Sequence, residues 1–439
     1  MRACRTYALV LGLAGCARSE LGSRKPDSAA GPVSLADAAI DSVGHPADVR
    51  ACRWAGFAPE ATYAGSGDTA IAVADFNGDG HSDIVVTAWG NGTFSLPASG
   101  AVRASVYLNQ GNGAFAPAAP YNTNMEATSV AVGDFSGDGK PDFAVLTVLD
   151  HLDVFVNQGD GNFGSLVPLT GPQSALVMAV GDFNRDGRPD LAVTTQDRAV
   201  DILFGDGNGG FAAPIAYATG GEVDSIAVSD LDGDGYPDIV VSNAELAGTC
   251  PGAPGICLPS GLGAGTANVL INQGDGTFAP QVSYASGNGT ASLALGDLNG
   301  DGAPDIAATN SVDNTLSVFF NRGDGTFTLQ ATYANAGSGT AAPGLPFPRT
   351  GGGVVAADFD GDGHVDIGVV QGSTQSRSGV FLLLANAGDG RLLPPVSYAI
   401  TGNPDALAVA DFNGDGLPDL AVTSAENEFL MGVFLSECK

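Results

Sequence analysis

The chain has 439 residues and a mass of 43.8 kDa, and its 48 acids against 17 Lys and Arg give a net charge of −31. That balance excludes nucleic acid or an anionic lipid surface gripped through a basic patch, and a hydrophobic content of 44% spread along the chain excludes wholesale disorder. With 64 Gly and 25 Pro, few stretches can form a long helix, so the composition predicts an acidic, turn-rich β protein.

At the N-terminus, Arg2 and Arg5 precede an apolar run from Tyr7 to Leu13 that is too short to span a bilayer. Leu13-Ala14-Gly15-Cys16 resembles the lipobox of bacterial lipoproteins, which implies cleavage before Cys16 and acylation of that cysteine. The alternative is an ordinary secretory signal that contains Cys16. The resemblance, with Ala17 in place of the aspartate of inner-membrane retention, implies an outer-membrane or cell-surface lipoprotein. Residues 1–15 then form the signal peptide and residues 16–50, rich in Ser, Ala, Gly, Pro and Asp, a flexible tether. Everything beyond is expected outside the cytoplasm, touching the membrane only through the lipid.

From residue 51 onward one unit repeats. The nine-residue segment Asp75-Phe76-Asn77-Gly78-Asp79-Gly80-His81-Ser82-Asp83 recurs from Asp134, Asp182, Asp230, Asp297, Asp358 and Asp411, at steps of 59, 48, 48, 67, 61 and 53 residues. In all seven copies the first, fifth and ninth positions are Asp and the sixth is Gly. A short apolar run precedes each copy (70–74, 225–229) and another follows it (83–87, 190–194). A third run leads into a Gly-rich turn of the form N-Q-G-D-G-T-F (269–278, 318–327), and a fourth segment often ends in Tyr, as at Tyr121, Tyr217, Tyr284, Tyr333 and Tyr398. Apolar runs of this length between turn residues are strands. Four strands per unit at this period predict an all-β, seven-bladed propeller of antiparallel meanders over residues 51–439.

The seventh unit has its first three strands at 405–410, 420–424 and 430–435, and its fourth is found at the other end of the repeat region. Trp54-Ala55-Gly56-Phe57 and the following Ala-Pro-Glu-Ala-Thr-Tyr match the Gly-x-Phe turn and fourth strand of the other units. An N-terminal strand is therefore expected to close the ring and remove its open edges. A closed ring needs no partner copy and is expected to be monomeric. In an oxidising compartment the remaining cysteines are expected to pair, Cys250 with Cys257 and Cys52 with Cys438.

The acidic loops gather oxygen ligands. The first positions are Asp75, Asp134, Asp182, Asp230, Asp297, Asp358 and Asp411, and the third are Asn77, Ser136, Asn184, Asp232, Asn299, Asp360 and Asn413. The fifth are Asp79, Asp138, Asp186, Asp234, Asp301, Asp362 and Asp415, and the ninth Asp83, Asp142, Asp190, Asp238, Asp305, Asp366 and Asp419. A further oxygen is expected from the backbone carbonyl of the seventh residue: His81, Lys140, Arg188, Tyr236, Ala303, His364 or Leu417. Hard oxygen donors at this density suit calcium, up to seven ions, rather than zinc or copper. An EF-hand is excluded because the twelfth positions, such as Val86, Val145 and Ala308, are apolar. The loop with Ser136 is expected to bind most weakly. The whole unit resembles the FG-GAP/VCBS repeat found in the calcium-bearing propellers of integrin α-chains. That resemblance implies a calcium-loaded scaffold for adhesion or ligand binding.

In a meander the loops and the N-Q-G-D-G-T-F turns emerge on one face. The irregular insertions 88–104, 242–267, 335–352 and 371–379 fall on the other, which is the expected recognition face for an extracellular protein or carbohydrate. Candidates there are Trp89, as an aromatic platform, and the acids Asp68, Glu126, Glu222, Asp224 and Asp405, expected to precede the first strands near the central channel. No Ser/His/Asp or Cys/His constellation can be assembled. A polysaccharide-active enzyme, lyase or glycosidase, on the same scaffold is therefore the secondary reading, and a structural component of a surface assembly the third.

Overall fold

In a computed structural model of the chain, the described residues are 54–64, 68–88, 104–123, 125–148, 151–164, 167–246, 262–334, 353–372, 378–424 and 430–438. The expected signal peptide with Cys16, the expected tether, Trp89, Cys52, Cys250, Cys257 and the side chains of Asp68 and Cys438 lie outside what is described, and both expected disulfides with them.

The strands form seven four-stranded antiparallel sheets. Blade 3 is a simple meander of Ala175–Gly181, Asp190–Thr195, Ala199–Leu203 and Ile215–Ala218. The innermost strands of the seven blades are Asp68–Ala74, Ala127–Gly133, Ala175–Gly181, Glu222–Ser229, Thr290–Gly296, Val354–Ala357 and Pro404–Ala410. Each touches the next, and the last touches the first, so the ring closes. Blade 7 is completed by Ala61–Ala64, which pairs with Leu430–Phe434 through Ala61↔Val433 and Ala64↔Leu430, as the sequence predicts. Beside it, Trp54–Phe57 pairs with Ser436–Cys438.

The hydrophobic core is divided into seven clusters, one in each cleft between neighbouring blades. Alternation along an inner strand serves two clefts at once. Ile71 and Val73 face blade 7, and Ala70 and Ala72 face blade 2. Small residues on one side let adjacent sheets approach closely.

The recurrent D-h-A-V-T of the second strands has a local cause. Six inner strands carry a bulge near their start, where ladder pairing is interrupted. In three blades the threonine of the motif covers the freed backbone groups. Thr194 Oγ1 accepts from Val177 N–H at 3.2 Å and lies 3.4 Å from Val177 O, and Thr309 and Thr423 repeat this with Ser292 and Ala406. Serine hydroxyls then link neighbouring inner strands. Ser129, Ser225 and Ser292 accept from the N–H groups of Met178, Leu293 and Val354 in the next blade, each at 3.3 Å.

Two of the expected insertions are shorter than the sequence suggested. In blade 4 the hairpin runs on as Asp238–Leu246 and Leu262–Leu270, with Leu246 opposite Leu262. In blade 6 pairing extends to Gly372↔Gly379. Polar and small residues continue these ladders, so the apolar pattern that marks strands elsewhere ends before the strand does.

Candidate metal centres and the blade junctions

Each acidic loop winds around its first aspartate. Asp75 Oδ1 accepts from Gly78 N–H at 2.7 Å and Asp79 N–H at 3.1 Å, and Asp75 Oδ2 accepts from Gly80 N–H at 2.8 Å. Asn77 Oδ1 accepts from Asp79 N–H, and Asp79 Oδ1 from His81 N–H, both at 2.9 Å. The winding requires left-handed backbone at Gly78 (φ 74°) and Gly80 (φ 88°), which glycine adopts without a Cβ clash. Asp411 organises its loop in the same way.

The turns bring the first, third and ninth positions together. Asp230, Asp232 and Asp238 offer carboxylate oxygens within 4.8 Å of one another, as do Asp358, Asp360 and Asp366. Calcium holds oxygen at about 2.4 Å, so two of its ligands are separated by at most about 4.8 Å. The donor set and its spacing therefore fit one hard cation in each of these two loops. In the other five loops a carboxamide or the Ser136 hydroxyl takes the third place. At the seventh position the imidazoles of His81 and His364 rest against Gly111 and Gly388 of their own blades' later turns, whereas the Lys140 ammonium donates to Asp138 Oδ2 of its own loop at 2.8 Å.

The ninth aspartate is fully buried and binds backbone on both sides. Asp83 Oδ2 accepts from Phe76 N–H at 2.9 Å, and Asp83 Oδ1 from Asn109 N–H at 2.7 Å. Asp190 repeats this with Phe183 and Gly205, and Asp419 with Phe412 and Ser436. Burial pushes the carboxyls of Asp83, Asp190 and Asp305 up to about 6 and those of Asp238, Asp366 and Asp419 up to about 7, and the neighbouring loop aspartates add to the rise. The N–H donors oppose it. A carboxylate raised in this way is held ionised most readily by a nearby cation.

Sequence reasoning assigned no role to the Asn that opens each N-Q-G turn. Its backbone N–H reaches the ninth Asp of its own blade, and its side chain crosses to the loop of the preceding blade. Asn109 Nδ2 donates to Phe412 O at 2.8 Å, Asn157 to Phe76 O at 2.9 Å and Asn272 to Phe183 O at 2.8 Å. Asn321 reaches Leu231 O at 2.8 Å and Asn386 reaches Leu298 O at 2.6 Å. Five of the seven junctions thus carry a carboxamide staple. Gly205 and Ser436 stand at the equivalent places in blades 3 and 7. The signal was the recurrence of Asn at one turn position, which reads equally well as ordinary turn chemistry.

An aromatic clamp accompanies the staple. The second loop residue of one blade, with the Tyr of its fourth strand, holds the Gly-x-Phe ring of the next. Phe163 lies 5.3 Å from Phe76 and 5.5 Å from Tyr121, and Phe278 lies 5.6 Å from Phe183 and 5.3 Å from Tyr217, all edge to face. At the closing junction Phe57 fills this place, 5.9 Å from Phe359 and 5.1 Å from Tyr398.

On the expected recognition face four candidate side chains are described. Glu126 and Asp405 are buried, while Glu222 and Asp224 are half-buried at the start of the inner strand of blade 4, with Asp224 at its bulge. Asp68 begins the inner strand of blade 1 and pairs with Ala88. Among the described residues these acids form no group of three close enough to share an ion. A cavity of about 440 Å³ opens between blades 3 and 4, lined in part by Tyr217, Phe278, Pro280 and Gln281.

Loops, clamps and closed ring together define a seven-bladed β-propeller with oxygen-rich loops on one face. Residues 90–145, 145–193, 182–241, 260–308, 297–369 and 358–422 match the FG-GAP-like repeat, and residues 68–107 match the FG-GAP repeat. The chain belongs to the FG-GAP repeat family. Among solved structures it resembles BP39L lectin from Burkholderia pseudomallei, with 15% identity, a TM-score of 0.56 and coverage of 85% of this chain and 97% of that one. It also resembles BBS1N, crystallised in complex with ARL6DN, with 11% identity, a TM-score of 0.52 and coverage of 88% and 97%. At these identities the likeness is one of fold. No curated protein sequence matches the chain.

Proposed function

We propose that the chain is a calcium-loaded, exported propeller that acts as a lectin-like ligand-binding module on the cell exterior. The observation that carries the reading is the pair of three-carboxylate groups, Asp230/Asp232/Asp238 and Asp358/Asp360/Asp366, at a spacing that suits one calcium ion each. In these loops and their relatives the first, third, fifth and ninth side chains, with the seventh carbonyl, would hold the ion. The ion would neutralise carboxylates that otherwise repel one another. The chain's own contribution is rigidity: staples and clamps fix each loop to the next blade, giving a stiff base for recognition on the other face. The fold likeness to a protein described as a lectin favours carbohydrate as the ligand. Export rests on Arg2, Arg5 and the run that ends at Cys16.

The test is retention of the full chain on a panel of neutral and acidic polysaccharides, in millimolar calcium and in chelator. Retention that calcium supports and chelator abolishes, with polymer length unchanged, is the expected result. Polymer that shortens would establish the enzyme reading instead, and no retention on any glycan would overturn the lectin-like one. Export is checked separately, since Cys16→Ala should shift the protein from the membrane fraction to the soluble fraction.

A further inference from the structure

Three carboxamides of blade 4 meet at the bend 218–221, where the fourth strand of blade 3 gives way to the inner strand of blade 4. Asn243 and Asn268, 3% and 1% exposed, both donate through Nδ2 to Thr219 O, Asn268 at 3.0 Å. The Asn243 side chain lies 3.0 Å from where a Cβ on Gly221 would stand, and Gln281 Nε2 lies 2.9 Å from that point on Gly220 (φ 75°). Because one carbonyl takes both Asn amide groups, the orientation of each carboxamide is set and its oxygen is left over. Asn243 Oδ1, Asn268 Oδ1 and Gln281 Oε1 are all buried, with no hydrogen-bond partner among the described residues. The equivalent place in blade 5 is saturated. Asn310, five residues after the ninth aspartate as Asn243 is, accepts at Oδ1 from Ser286 Oγ at 2.7 Å, Gly287 N–H at 3.0 Å and Thr290 Oγ1 at 3.2 Å. Its Nδ2 donates to Thr315 Oγ1 and Ser317 Oγ. Buried carbonyl oxygens are normally paired, so three left over in one cleft point to a donor that comes from outside.

The cavity of about 440 Å³ lies beside the same bend. Ala218, Gly220 and Gln281 line it, with Tyr217, Phe278 and Leu270, the last two residues along from Asn268 on the same side of its strand. Its volume falls within the range of about 300–1,000 Å³ usual for ligand sites. The unpaired groups are all acceptors. A hydroxyl brings acceptors of its own, whereas a primary ammonium brings three donors and no acceptor. Aromatic rings beside the oxygens favour a cation, and a net charge of −31 draws cations to the chain. No Lys or Arg is among the described residues that line the cavity. We propose that the cleft between blades 3 and 4 binds a primary ammonium group, presented by a lysine side chain of a partner protein, through the oxygens of Gln281, Asn268 and Asn243. This site stands apart from the calcium and glycan readings.

The test titrates the full chain calorimetrically with an end-blocked glycine peptide bearing one central lysine, at physiological salt and in millimolar calcium to occupy the acidic loops. The lysine peptide is expected to bind, and its counterpart with norleucine, which keeps the stem without the ammonium, is not. Gln281→Leu should weaken binding by about tenfold or more, as expected for one hydrogen bond to a charged group. Gln281→Lys, which places an ammonium of the chain's own in the cleft, should abolish it. Circular dichroism verifies that both variants fold. Equal binding of the two peptides, binding of neither, or lysine binding unchanged in Gln281→Leu would overturn the proposal. Butylamine that binds while the peptide is excluded would overturn the assignment to a protein lysine.

Discussion

The junction between blades 1 and 2 and the junction between blades 6 and 7 pack the same kinds of rings with different means of holding them. At the first, Phe163 sits between Phe76 and Tyr121 on an unbroken hairpin, and Asn157 staples the turn to Phe76 O. At the second, the clamped ring is Phe57, carried by a strand some 380 residues distant along the chain from its pairing partner at Ser436, with no carboxamide staple. Compensation is visible in extra contacts. Phe57 also meets Phe381 at 5.6 Å and Phe434 at 6.5 Å, Trp54 stacks edge-on against it at 6.0 Å, and Glu60 Oε2 accepts from Thr401 N–H at 2.8 Å. Where chain continuity does not hold the closing element, aromatic area does. The comparison teaches that the repeat specifies a junction by its residues rather than by its connectivity.

The sharpest way to break that comparison is Phe57→Ala. Removing a ring that touches five others should cost about 3 kcal/mol, read by urea unfolding. It should also open the Ala61–Ala64 strand to limited proteolysis, an effect Phe163→Ala should not share. Asn386→Ala comes next, at about 2 kcal/mol, because Leu298 O and Val365 O both lose their carboxamide donor. A Ser436→Ala change, at the closing junction, should cost less, since that hydroxyl reaches only Pro418 O within its own blade.

pH sharpens the comparison between loops with and without metal. The ninth aspartates rise from 3.8 to about 6 in Asp83, Asp190 and Asp305, and to about 7 in Asp238, Asp366 and Asp419. Across that window the metal-free native chain keeps protons that the unfolded chain has released. Its stability is therefore greatest at the acid end and falls as pH rises toward neutrality. Calcium favours the ionised carboxylates and should remove that fall, which thermal melts at several pH values in chelator and in calcium would show. Arg185→Gly should have the smallest effect. Arg185 adopts φ 54° where other loops place Gly, and glycine would relieve that cost while losing the guanidinium contact 4.8 Å over Tyr236. The two terms are each about 1 kcal/mol and opposed, so the midpoint should scarcely move.

The blades, their number and their closure were legible because each leaves a mark in residue type: period-two apolar runs, glycine at left-handed turns, aspartate at fixed spacing. The match of Phe57 and the segment after it to the Phe-ended turns and fourth strands of the other units predicted the closing strand. What stayed hidden depends on neighbours distant in sequence. Asn157 gives no local sign that its amide crosses to Phe76 O, 81 residues away. Thr194 reads as a β-branched strand residue until the bulge it covers is seen. Glu126 and Asp405 look exposed as charged groups before a strand, yet the packing of adjacent blades buries both. The ends of the blade 4 hairpin escaped the pattern because pairing there continues through Asn243 and Thr266, where the apolar alternation has stopped.

The central claim is that these loops are ion sites built into the blade junctions. The most direct measurement is the thermal midpoint of the full chain in chelator and in millimolar calcium. One site filled at a hundred times its Kd adds about 2.7 kcal/mol, so several sites should raise the midpoint by well over about 10 °C in one cooperative step. A midpoint unchanged by calcium would contradict the account.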